Sequence, residues 1–332
     1  MTYGLLTAGI PVKAGIDVDA RCRYAYETNN DAAFVKKDVA TLSSGLVREL
    51  FDDVEKKILV GCAPCQPFSS HTQKMKNRDT DSQRNLLYSF CRLVRSIEPE
   101  IVSLENVPNL VKYAPFENLL SILNRMEYFT TYSTVDCERF GVPQLRKRLV
   151  LLASKLGPIS LPAPTHPPDK LASVREAIEH LDKLDHGNAS KKDPMHRAAK
   201  LSALNLKRIS SSKPGGSWHD WNEEMRSPCH SRTSGRSYTS SYGRMEWDKP
   251  APTITTKFYN YGSGRFGHPE QNRALTLREG AILQTFPERY EFVDPSRQSS
   301  INMKEIGMFI GNAVPVKLGE TIGLAIQENI GA

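Results

Sequence analysis

The sequence lacks any apolar run long enough to cross a membrane, and its first residues do not combine a basic segment with an apolar one. A membrane span needs about 20 apolar residues, and an export signal needs that combination. We therefore expect a cytoplasmic protein without a membrane segment. Internal repeats and low-complexity tails are also absent. The 332 residues, of which 39% are hydrophobic and 24% charged, are typical of one large or two modest globular domains.

Cysteine is scarce, with six residues: Cys22, Cys62, Cys65, Cys91, Cys137 and Cys229. Without an export signal, this number indicates reduced thiols rather than a disulfide framework. Cys62 and Cys65 form a Cys-x-x-Cys pair, which can mark a redox or zinc site. The redox interpretation is weakened because Cys62 should lie along a strand and Cys65 in the following loop. Zinc would need a second pair, for which Cys229-His230 is a poor candidate, and we predict no metal.

Acidic residues are outnumbered by basic ones, 37 against 44, which gives a formal net charge of +7. The sequence pI is about 9.0. Such a balance favours a polyanionic partner such as nucleic acid. Because many metabolic enzymes are mildly basic, the charge alone does not identify the partner.

Strand-like and helix-like segments alternate through the first half of the chain. Residues 86–97 carry apolar side chains at helical spacing. This order predicts an α/β fold built on a doubly wound sheet. The predicted strands are residues 15–19, 33–39, 57–61, 101–104 and 149–153.

Regular patterning stops after Ala153, where several prolines follow within residues 158–168. Residues 190–264 are rich in Ser, Gly, Arg and aromatic residues, and apolar helical patterns return at 276–283 and 306–326. We therefore predict a main domain that begins with residues 1–165, a smaller irregular region, and helices that return to the main domain. The last two regions are residues 166–265 and 266–332.

Reactive side chains follow the predicted strands at one edge of the sheet. Asp17, Asp38, Cys65 and Glu105 come just after strand ends, where ligands of open α/β sheets bind. A cysteine at such an edge can be activated as a thiolate nucleophile. The alternatives are a buried packing cysteine and acids that cap strand ends.

Five short motifs occur in order along nearly the whole chain. They are Pro64-Cys65-Gln66, Glu105-Asn106-Val107, Gln144-Leu145-Arg146-Lys147-Arg148, Arg278-Glu279 with Gln284-Thr285-Phe286-Pro287, and Gly311-Asn312-Ala313-Val314-Pro315. In these motifs the chain resembles the cytosine-C5 DNA methyltransferase family. The resemblance implies a Rossmann-like, S-adenosylmethionine-dependent catalytic domain, formed by residues 1–165 and 266–332. Residues 166–265 are then the target-recognition region.

The resemblance also implies a chemistry. Cytosine C5 becomes nucleophilic only after a thiolate adds to C6, and Cys65 is the expected thiolate. Glu105 is expected to be a protonated carboxyl that hydrogen-bonds N3, and Arg148 to donate to O2. Arg146 is expected to support the closed site or contact a phosphate. The alternative for both arginines is a surface pair with an acid. Because C5 is stacked inside a duplex, the base must be flipped out.

The methyl donor is expected at the strand ends. By resemblance, Asp17 binds the ribose hydroxyls, Val18 packs against the adenine, and Asp38 binds the adenine amino group. By residue type alone, both acids would more often be strand-end caps. The other expected donor-binding residues are Val39, Pro64, Leu86, Asn312 and Ala313.

Double-stranded DNA is the implied substrate. The polar stretch after Cys65 resembles a family loop that closes over DNA, and arginines of the middle region can pair with guanine in the major groove. A solvated loop would look similar. The expected DNA-binding residues are Gln66, Ser69, Arg232, Arg236, Arg244 and Thr253.

One family feature is missing from the sequence. Members have an apolar strand and a Phe-x-Gly-x-Gly loop ahead of a helix that resembles residues 2–9, and no such loop occurs here. We therefore expect a sheet without its first strand. Close backbone approach to the donor depends on those glycines, so we also expect residues 1–332 to bind S-adenosylmethionine weakly.

The resemblance further implies a monomeric, nucleoid-associated enzyme of restriction-modification or phage DNA modification, accompanied in the former case by a cognate restriction endonuclease. Two alternatives stay open. One is an RNA cytosine-C5 methyltransferase, although the Cys-Phe-Thr triplet typical of that branch does not occur in the recognition region. The other is a catalytically inactive DNA-binding protein.

Overall fold

The computed structural model describes residues 1–62, 80–232 and 239–331. The chain forms two compact units. Unit 1 consists of Met1–Cys137, Lys147–Pro164 and Val316–Ala332, and unit 2 of Glu138–Arg146 and Thr165–Pro315. Residues 266–315, which the sequence pattern assigned to the catalytic domain, therefore belong to unit 2, and only the last helix returns to unit 1.

The described residues form six strands and eleven α-helices, besides short 3₁₀ turns. The strands are β1 (Ala14–Asp17), β2 (Ala33–Lys36), β3 (Ile58–Gly61), β4 (Ile101–Asn106), β5 (Phe129–Asp136) and β6 (Lys147–Ser154). The helices are α1 (Thr2–Thr7), α2 (Arg23–Asn29), α3 (Ser44–Glu49), α4 (Thr80–Ile97), α5 (Ala114–Arg125), α6 (Val174–Ile178), α7 (Ala203–Ser210), α8 (Pro228–Ser231), α9 (Leu277–Leu283), α10 (Met303–Asn312) and α11 (Val316–Gly331). In the part of the chain that is described, no helix is both long and apolar enough to cross a membrane.

All six strands lie in unit 1, where they form two sheets. β1 and β2 are parallel to each other, and the remaining strands form a sheet in the order β3-β4-β6-β5. In the larger sheet β3 is parallel to β4, whereas β6 is antiparallel to both β4 and β5. The result is a mixed α/β fold of the Rossmann-like kind that the sequence predicts.

β4 is the buried centre of the larger sheet, and each of its six residues is buried. One face of α4 and one face of α5 cover it, because their apolar residues recur at helical spacing. Each large apolar side chain buried there contributes about 1.5–3 kcal/mol. The apolar cluster includes Leu87, Phe90, Val94, Val102, Leu104, Phe116, Leu119, Ile122, Leu149, Leu151 and Ala153.

The two sheets share one supporting cluster. Ile16 of β1 and Leu59 of β3 both pack against an apolar group formed by α3, α4 and the segment before α3. Among the described residues, β1 hydrogen-bonds in a ladder only to β2, and β3 only to β4. The strands therefore form separate sheets on a common helical layer. The members of the buried cluster are Leu42, Val47, Leu93 and Ile97.

α1 and α11 pack so closely that their contact requires glycine. A Cβ atom on Gly4 would lie 2.4 Å from the carbonyl oxygen of Val316, and one on Gly319 would lie 2.9 Å from that of Met1. Such distances are far below van der Waals contact, so a side chain at either position would force the helices apart. The contact ties the first helix to the last one.

Sequence patterning identified most strands and missed one. β5 was not predicted, because most of its side chains are exposed and it has no regular apolar alternation. The apolar pattern at 306–326 is also not one helix. α10 ends at Asn312 and α11 begins at Val316, since Pro315 has no N–H to continue a helical ladder.

Unit 2 depends on buried polar groups more than unit 1 does. At its centre Arg273, 0% exposed, forms a two-pronged ion pair with Glu279 of α9 at 2.7 and 2.8 Å. Glu279 also accepts from the N–H of Thr276, which closes the capping box of α9. Burial alone would raise the pKa of Glu279, but the Arg273 guanidinium overrides it and holds that pKa at about 2.

Replacing Arg273 by Met should destabilise the protein by about 3–5 kcal/mol near pH 7, because the buried Glu279 carboxylate then faces only the Thr276 N–H and the neutral His268, 3.7 Å away. In the native protein the lowered pKa of Glu279 stabilises the fold above its usual value of 4.5, and that contribution is lost as the pH falls toward 2. In R273M we expect burial to raise the pKa of this carboxyl instead. Its destabilisation should therefore shrink on acidification, measured by urea unfolding between pH 7 and pH 4.

Arg175→Met is the matched control, because the ion pairs of Arg175 with Asp248 and Glu179 are solvent-exposed and such pairs contribute little. Its urea midpoint should stay close to that of the wild type. Equal midpoints for R273M and R175M would contradict the importance of the buried pair.

Candidate active site

The carboxyl end of β4 carries the predicted catalytic carboxyl. Glu105 is 7% exposed, and its Oε1 lies 2.9 Å from Nε of Arg148 on β6. The register explains this contact: Glu105 pairs with Val150 across the antiparallel ladder, so Arg148 is its diagonal neighbour on the same face. The structure thus brings two predicted catalytic residues together.

The Glu105–Arg148 pair is largely enclosed, with side-chain exposures of 9% and 14%. Attraction between charges is stronger in such a place than at the surface. Nη1 of Arg148 also donates to the carbonyl of Lys147 at 2.7 Å. Asn106, the next motif residue, is buried and accepts the N–H of Val107 through its Oδ1 at 2.9 Å. The local hydrogen bonds therefore fix the end of the strand.

β3 leads toward the predicted nucleophile. Gly61 pairs with Leu104 in the parallel ladder, which places Cys62 opposite Glu105 in sequence register. Desolvation raises the pKa of Cys62 to about 12, and the negative charge of Glu105 adds to the shift. Cys62 is therefore a neutral thiol at physiological pH and a poor nucleophile. The predicted residues Pro64, Cys65, Gln66 and Ser69 lie outside the described residues.

Asp17 and Asp38 follow the neighbouring parallel strands β1 and β2. Oδ1 of Asp17 accepts from the N–H of Asp19, and Oδ1 of Asp38 from the N–H of Ala40, both at 2.8 Å. Each acid thereby forms an Asx turn with the chain two residues on, which fixes the direction of its carboxylate. The two predicted donor-binding acids lie at the same end of one two-stranded sheet.

The residues around these acids fit an adenosyl group. Both carboxylates are exposed and can accept hydrogen bonds from ribose hydroxyls or an amino group. Val18, which follows Asp17, is 64% exposed, while Val39 and Leu86 are partly exposed. Acceptors beside apolar surface are the combination that a nucleoside ligand needs.

In unit 2, Gln144 joins motifs that are far apart in the sequence. Its amide nitrogen donates to the carbonyl of Leu283 and to Oε1 of Gln284, both at 2.8 Å. Its Oε1 accepts from the N–H of Ile254 at 2.9 Å. Gln284 in turn donates to the carbonyl of Ile310 at 2.7 Å. Both glutamines are 0% exposed, so their hydrogen bonds connect these segments in the interior of unit 2.

Arg146 belongs to the same buried network. It is 4% exposed, and its guanidinium donates to the carbonyls of Ile254 and Ala313 at 3.1 and 3.3 Å. Its backbone N–H donates to the Glu138 carboxylate at 3.1 Å. Of the two expected roles, these contacts favour support of the site over contact with a phosphate.

The Gly-Asn-Ala-Val-Pro motif packs on the segment 252–256. A Cβ atom on Gly311 would lie 2.4 Å from the backbone of Thr255, so only glycine allows this approach. Asn312 is exposed at the end of α10, and Ala313 is partly exposed. Oγ1 of Thr253 donates to the carbonyl of Leu145 at 2.6 Å, which makes a structural contact at a predicted DNA-binding position.

The predicted DNA-binding arginines differ in placement. Arg232 is exposed, and Arg236 lies outside the described residues. Arg244 is 4% exposed, and its guanidinium donates to three backbone carbonyls and to Oδ1 of Asn272. A guanidinium used in this way cannot reach DNA, so the prediction of Arg244 as a contact residue is corrected to a structural role.

Arg208 is a structural residue that composition did not reveal. It is 6% exposed, donates to the carbonyl of Met225 at 2.8 Å, and lies 5.2 and 5.1 Å from the ring centres of Trp221 and Tyr242. Cation–π contact stabilises such a buried guanidinium.

No group of three or more His, Cys, Asp or Glu residues that could hold a metal ion occurs within residues 1–62, 80–232 and 239–331.

Comparison with known proteins agrees with these motifs. The sequence profile of C-5 cytosine-specific DNA methylases matches residues 1–328. The chain belongs to this family. It is a DNA (cytosine-5-)-methyltransferase, and the fold and the enzyme class expected from the sequence are confirmed.

Relatives and solved structures extend over nearly the whole chain. The Type II methylase M.HgiDII of Herpetosiphon aurantiacus is 46% identical over 98% of this chain and 92% of its own length. The Type II methyltransferase M1.HphI of Haemophilus parahaemolyticus is 29% identical over 98% and 83%. A proposed E. coli prophage DNA modification methyltransferase shares the fold at a TM-score of 0.72 and 19% identity, over 100% of this chain and 96% of that chain.

Replacing Arg244 by Met should destabilise this methyltransferase, because several buried carbonyls lose a charged donor, each loss costing about 1–3 kcal/mol. Replacing the exposed Arg232 by Met should leave the melting temperature unchanged. If Arg232 contacts a phosphate, R232M should weaken DNA binding and reduce the slope of log K against log salt by about 1. Thermal melts measure the change in stability of each variant, and fluorescence anisotropy at several salt concentrations measures its DNA binding. A stable R244M protein with weaker DNA binding would restore Arg244 as a contact residue.

Proposed function

We propose that this enzyme methylates C5 of a flipped cytosine within a specific duplex DNA sequence, using S-adenosylmethionine, as the modification partner of a restriction endonuclease. The buried Glu105–Arg148 pair carries the proposal, because it lies at the end of β4, beside the strand that leads to Pro64-Cys65-Gln66. The Type II names of the relatives support the restriction-modification setting.

Cys65 is the nucleophile of the proposed reaction. Its thiolate forms a bond to C6, and the electron pair of the C5–C6 double bond moves toward N3. C5 then has enamine character and would take the methyl group as the methyl–sulfur bond of the donor breaks, which leaves S-adenosylhomocysteine as the second product. The C5 proton is then lost to a base while the Cys65 thiolate leaves C6, which restores the aromatic ring. At the end of the reaction Cys65 is a free thiolate again, and the base differs from the substrate only by its new methyl group.

Glu105 and Arg148 serve the same base from one face of the sheet. Glu105 must take up a proton as the base enters, because only a protonated carboxyl can hydrogen-bond N3 and stabilise the negative charge that develops there during thiolate addition. Arg148 orients this carboxyl through its 2.9 Å contact, and its remaining guanidinium donors can reach the neighbouring O2 of the base. The pair therefore reads the N3–O2 edge of cytosine and lowers the barrier to addition.

Asp17 and Asp38 would hold the methyl donor at the ends of β1 and β2, with Val18, Val39 and Leu86 against its base. When bound, S-adenosylmethionine supplies an electrophilic methyl group on a positively charged sulfur. The protein's own contribution is to bind the ribose and adenine through fixed carboxylates and to keep apolar surface beside them.

Unit 2 is proposed to recognise the target sequence. It contains the exposed Arg232, and its backbone is supported from within by buried arginines, so exposed side chains stand on a rigid base. A net charge of +7 favours approach to the DNA backbone. Base contacts then give the preference for one site.

Cys65→Ala should abolish the covalent adduct that the enzyme forms with duplex DNA carrying 5-fluorocytosine at its target site. The fluorine blocks loss of the group at C5, so the wild-type adduct accumulates. Cys62→Ala should still form the adduct, because Cys62 is a neutral thiol. Denaturing gel electrophoresis measures the adduct, and its appearance with C65A would remove Cys65 from the mechanism.

Glu105→Gln should lower kcat by about 10²–10⁴, since an amide cannot supply the proton that the N3 charge requires. Asp136→Asn is the control, because Asp136 forms an exposed ion pair with Lys147 at 3.0 Å on the same sheet. Its kcat should stay within about twofold of wild type, by the small energy of surface pairs. Methyl transfer from labelled donor gives both rates. Equal rates for E105Q and D136N would exclude Glu105 from catalysis.

A further inference from the structure

One arginine of α4 binds the turn that follows β2. Nη2 of Arg92 donates to the carbonyl of Leu42 at 2.8 Å and to that of Val39 at 3.3 Å. Val39 lies within the turn Asp38–Thr41, and Leu42 directly follows it. A charged donor makes stronger hydrogen bonds to carbonyls than a neutral one does. Arg92 therefore links this turn and the residue after it to a long, packed helix.

Hydrogen bonds within the turn set its shape, but they do not attach it to the rest of the fold. The carbonyl of Asp38 accepts from the N–H of Thr41 at 3.1 Å, and Oδ1 of Asp38 accepts from the N–H of Ala40 at 2.8 Å. These bonds set its internal shape. Leu42, 3% exposed, anchors the end of the turn in the cluster with Leu93 of α4. Arg92 adds a polar attachment that also reaches inside the turn, at Val39.

A second arginine, Arg48, also hydrogen-bonds to α4 and serves as a structural comparison. Nη2 of Arg48, on α3, donates to the carbonyl of Ser96 near the end of α4 at 2.7 Å. It makes one bond of the same kind to the same helix. Neither Arg48 nor Ser96 borders Asp17 or Asp38 in the chain. Arg48 is therefore a matched control for Arg92.

We propose that Arg92 is a positioning residue for the methyl donor: it holds the turn after β2 so that Asp38 and Val39 keep a fixed place beside Asp17. This inference rests on the proposed function, which assigns these residues to the adenosyl group. α4 also carries Leu86, another predicted donor contact, so one helix supports both sides of the nucleoside site. Arg92 itself touches no reacting atom.

The expected effect is on donor affinity. A turn released from Arg92 samples more conformations, and binding must then restrict it, which weakens the complex. Arg92→Met should raise the Kd for S-adenosylhomocysteine about tenfold, with a similar rise in the KM for the donor. kcat at saturating donor and the KM for DNA should stay within about twofold. Amide exchange in residues 38–42 should accelerate.

The experiment compares wild type, Arg92→Met, Arg92→Lys and Arg48→Met by calorimetry with S-adenosylhomocysteine, by methyl-transfer kinetics and by hydrogen exchange. R92K retains a charge that can reach one carbonyl, so its Kd should lie between those of wild type and R92M. R48M should bind the donor like wild type. If R92M does not fold, the R92K and R48M proteins decide the question.

Wild-type affinity in both Arg92 variants overturns the positioning role. So does a parallel loss of donor binding, DNA binding and kcat in R92K, since that pattern marks general destabilisation. The wild-type Kd is expected to be high because the sequence lacks the Phe-x-Gly-x-Gly loop, so the titration extends to the highest soluble concentration of S-adenosylhomocysteine. A wild-type protein that still binds none refutes the donor assignment of the proposed function itself, and the inference falls with it. The two failures are therefore distinguishable by the wild-type titration.

Discussion

The antiparallel register of β6 against β4 is the constraint on which the candidate site depends. Glu105 pairs with Val150, so Arg148 shares its face and meets its carboxylate. A shift of one residue would turn Lys147 and Leu149 toward that face instead. Both strands are buried over most of their length, so such a shift would replace each packed side chain by a neighbour of different size and shape. Packing in the sheet thus determines which cation meets the carboxylate of Glu105.

The family motifs divide into two kinds by what their side chains touch. In unit 1 the motif residue Glu105 presents its carboxylate at a strand end, as do the predicted donor-binding acids Asp17 and Asp38. The motifs of unit 2 are mostly buried, and Gln144 with Gln284 satisfies backbone groups from three distant segments. Losing such a residue leaves buried donors and acceptors without partners. A motif can therefore be indispensable because it holds a fold together, without any part in the chemistry.

Sequence reasoning located the strand ends and their acids because short apolar runs followed by polar residues are unambiguous in an α/β pattern. It could not find β5, whose side chains are largely exposed, nor the partner of Glu105, since periodicity does not encode which strands pair. The grouping of residues 266–315 with unit 2 differs from the sequence prediction for a related reason. Apolar helices look alike in any domain, and only long-range contacts, such as that of Arg278 of α9 with Asp193, show which unit they join.

The buried arginines of unit 2 could not be recognised from the sequence either, and they change how the net charge of the protein should be interpreted. Arg146, Arg208, Arg244 and Arg273 are all buried in unit 2 and bound to carbonyls, rings or a carboxylate. Their charges are fixed inside the fold, where a phosphate cannot form a direct contact. Attraction to DNA must therefore depend on the exposed cations, of which Arg232 is one. The basic composition that favours a nucleic-acid partner is in part the composition of an interior stabilised by arginine, so counting arginines overestimates the DNA contacts that the surface can make.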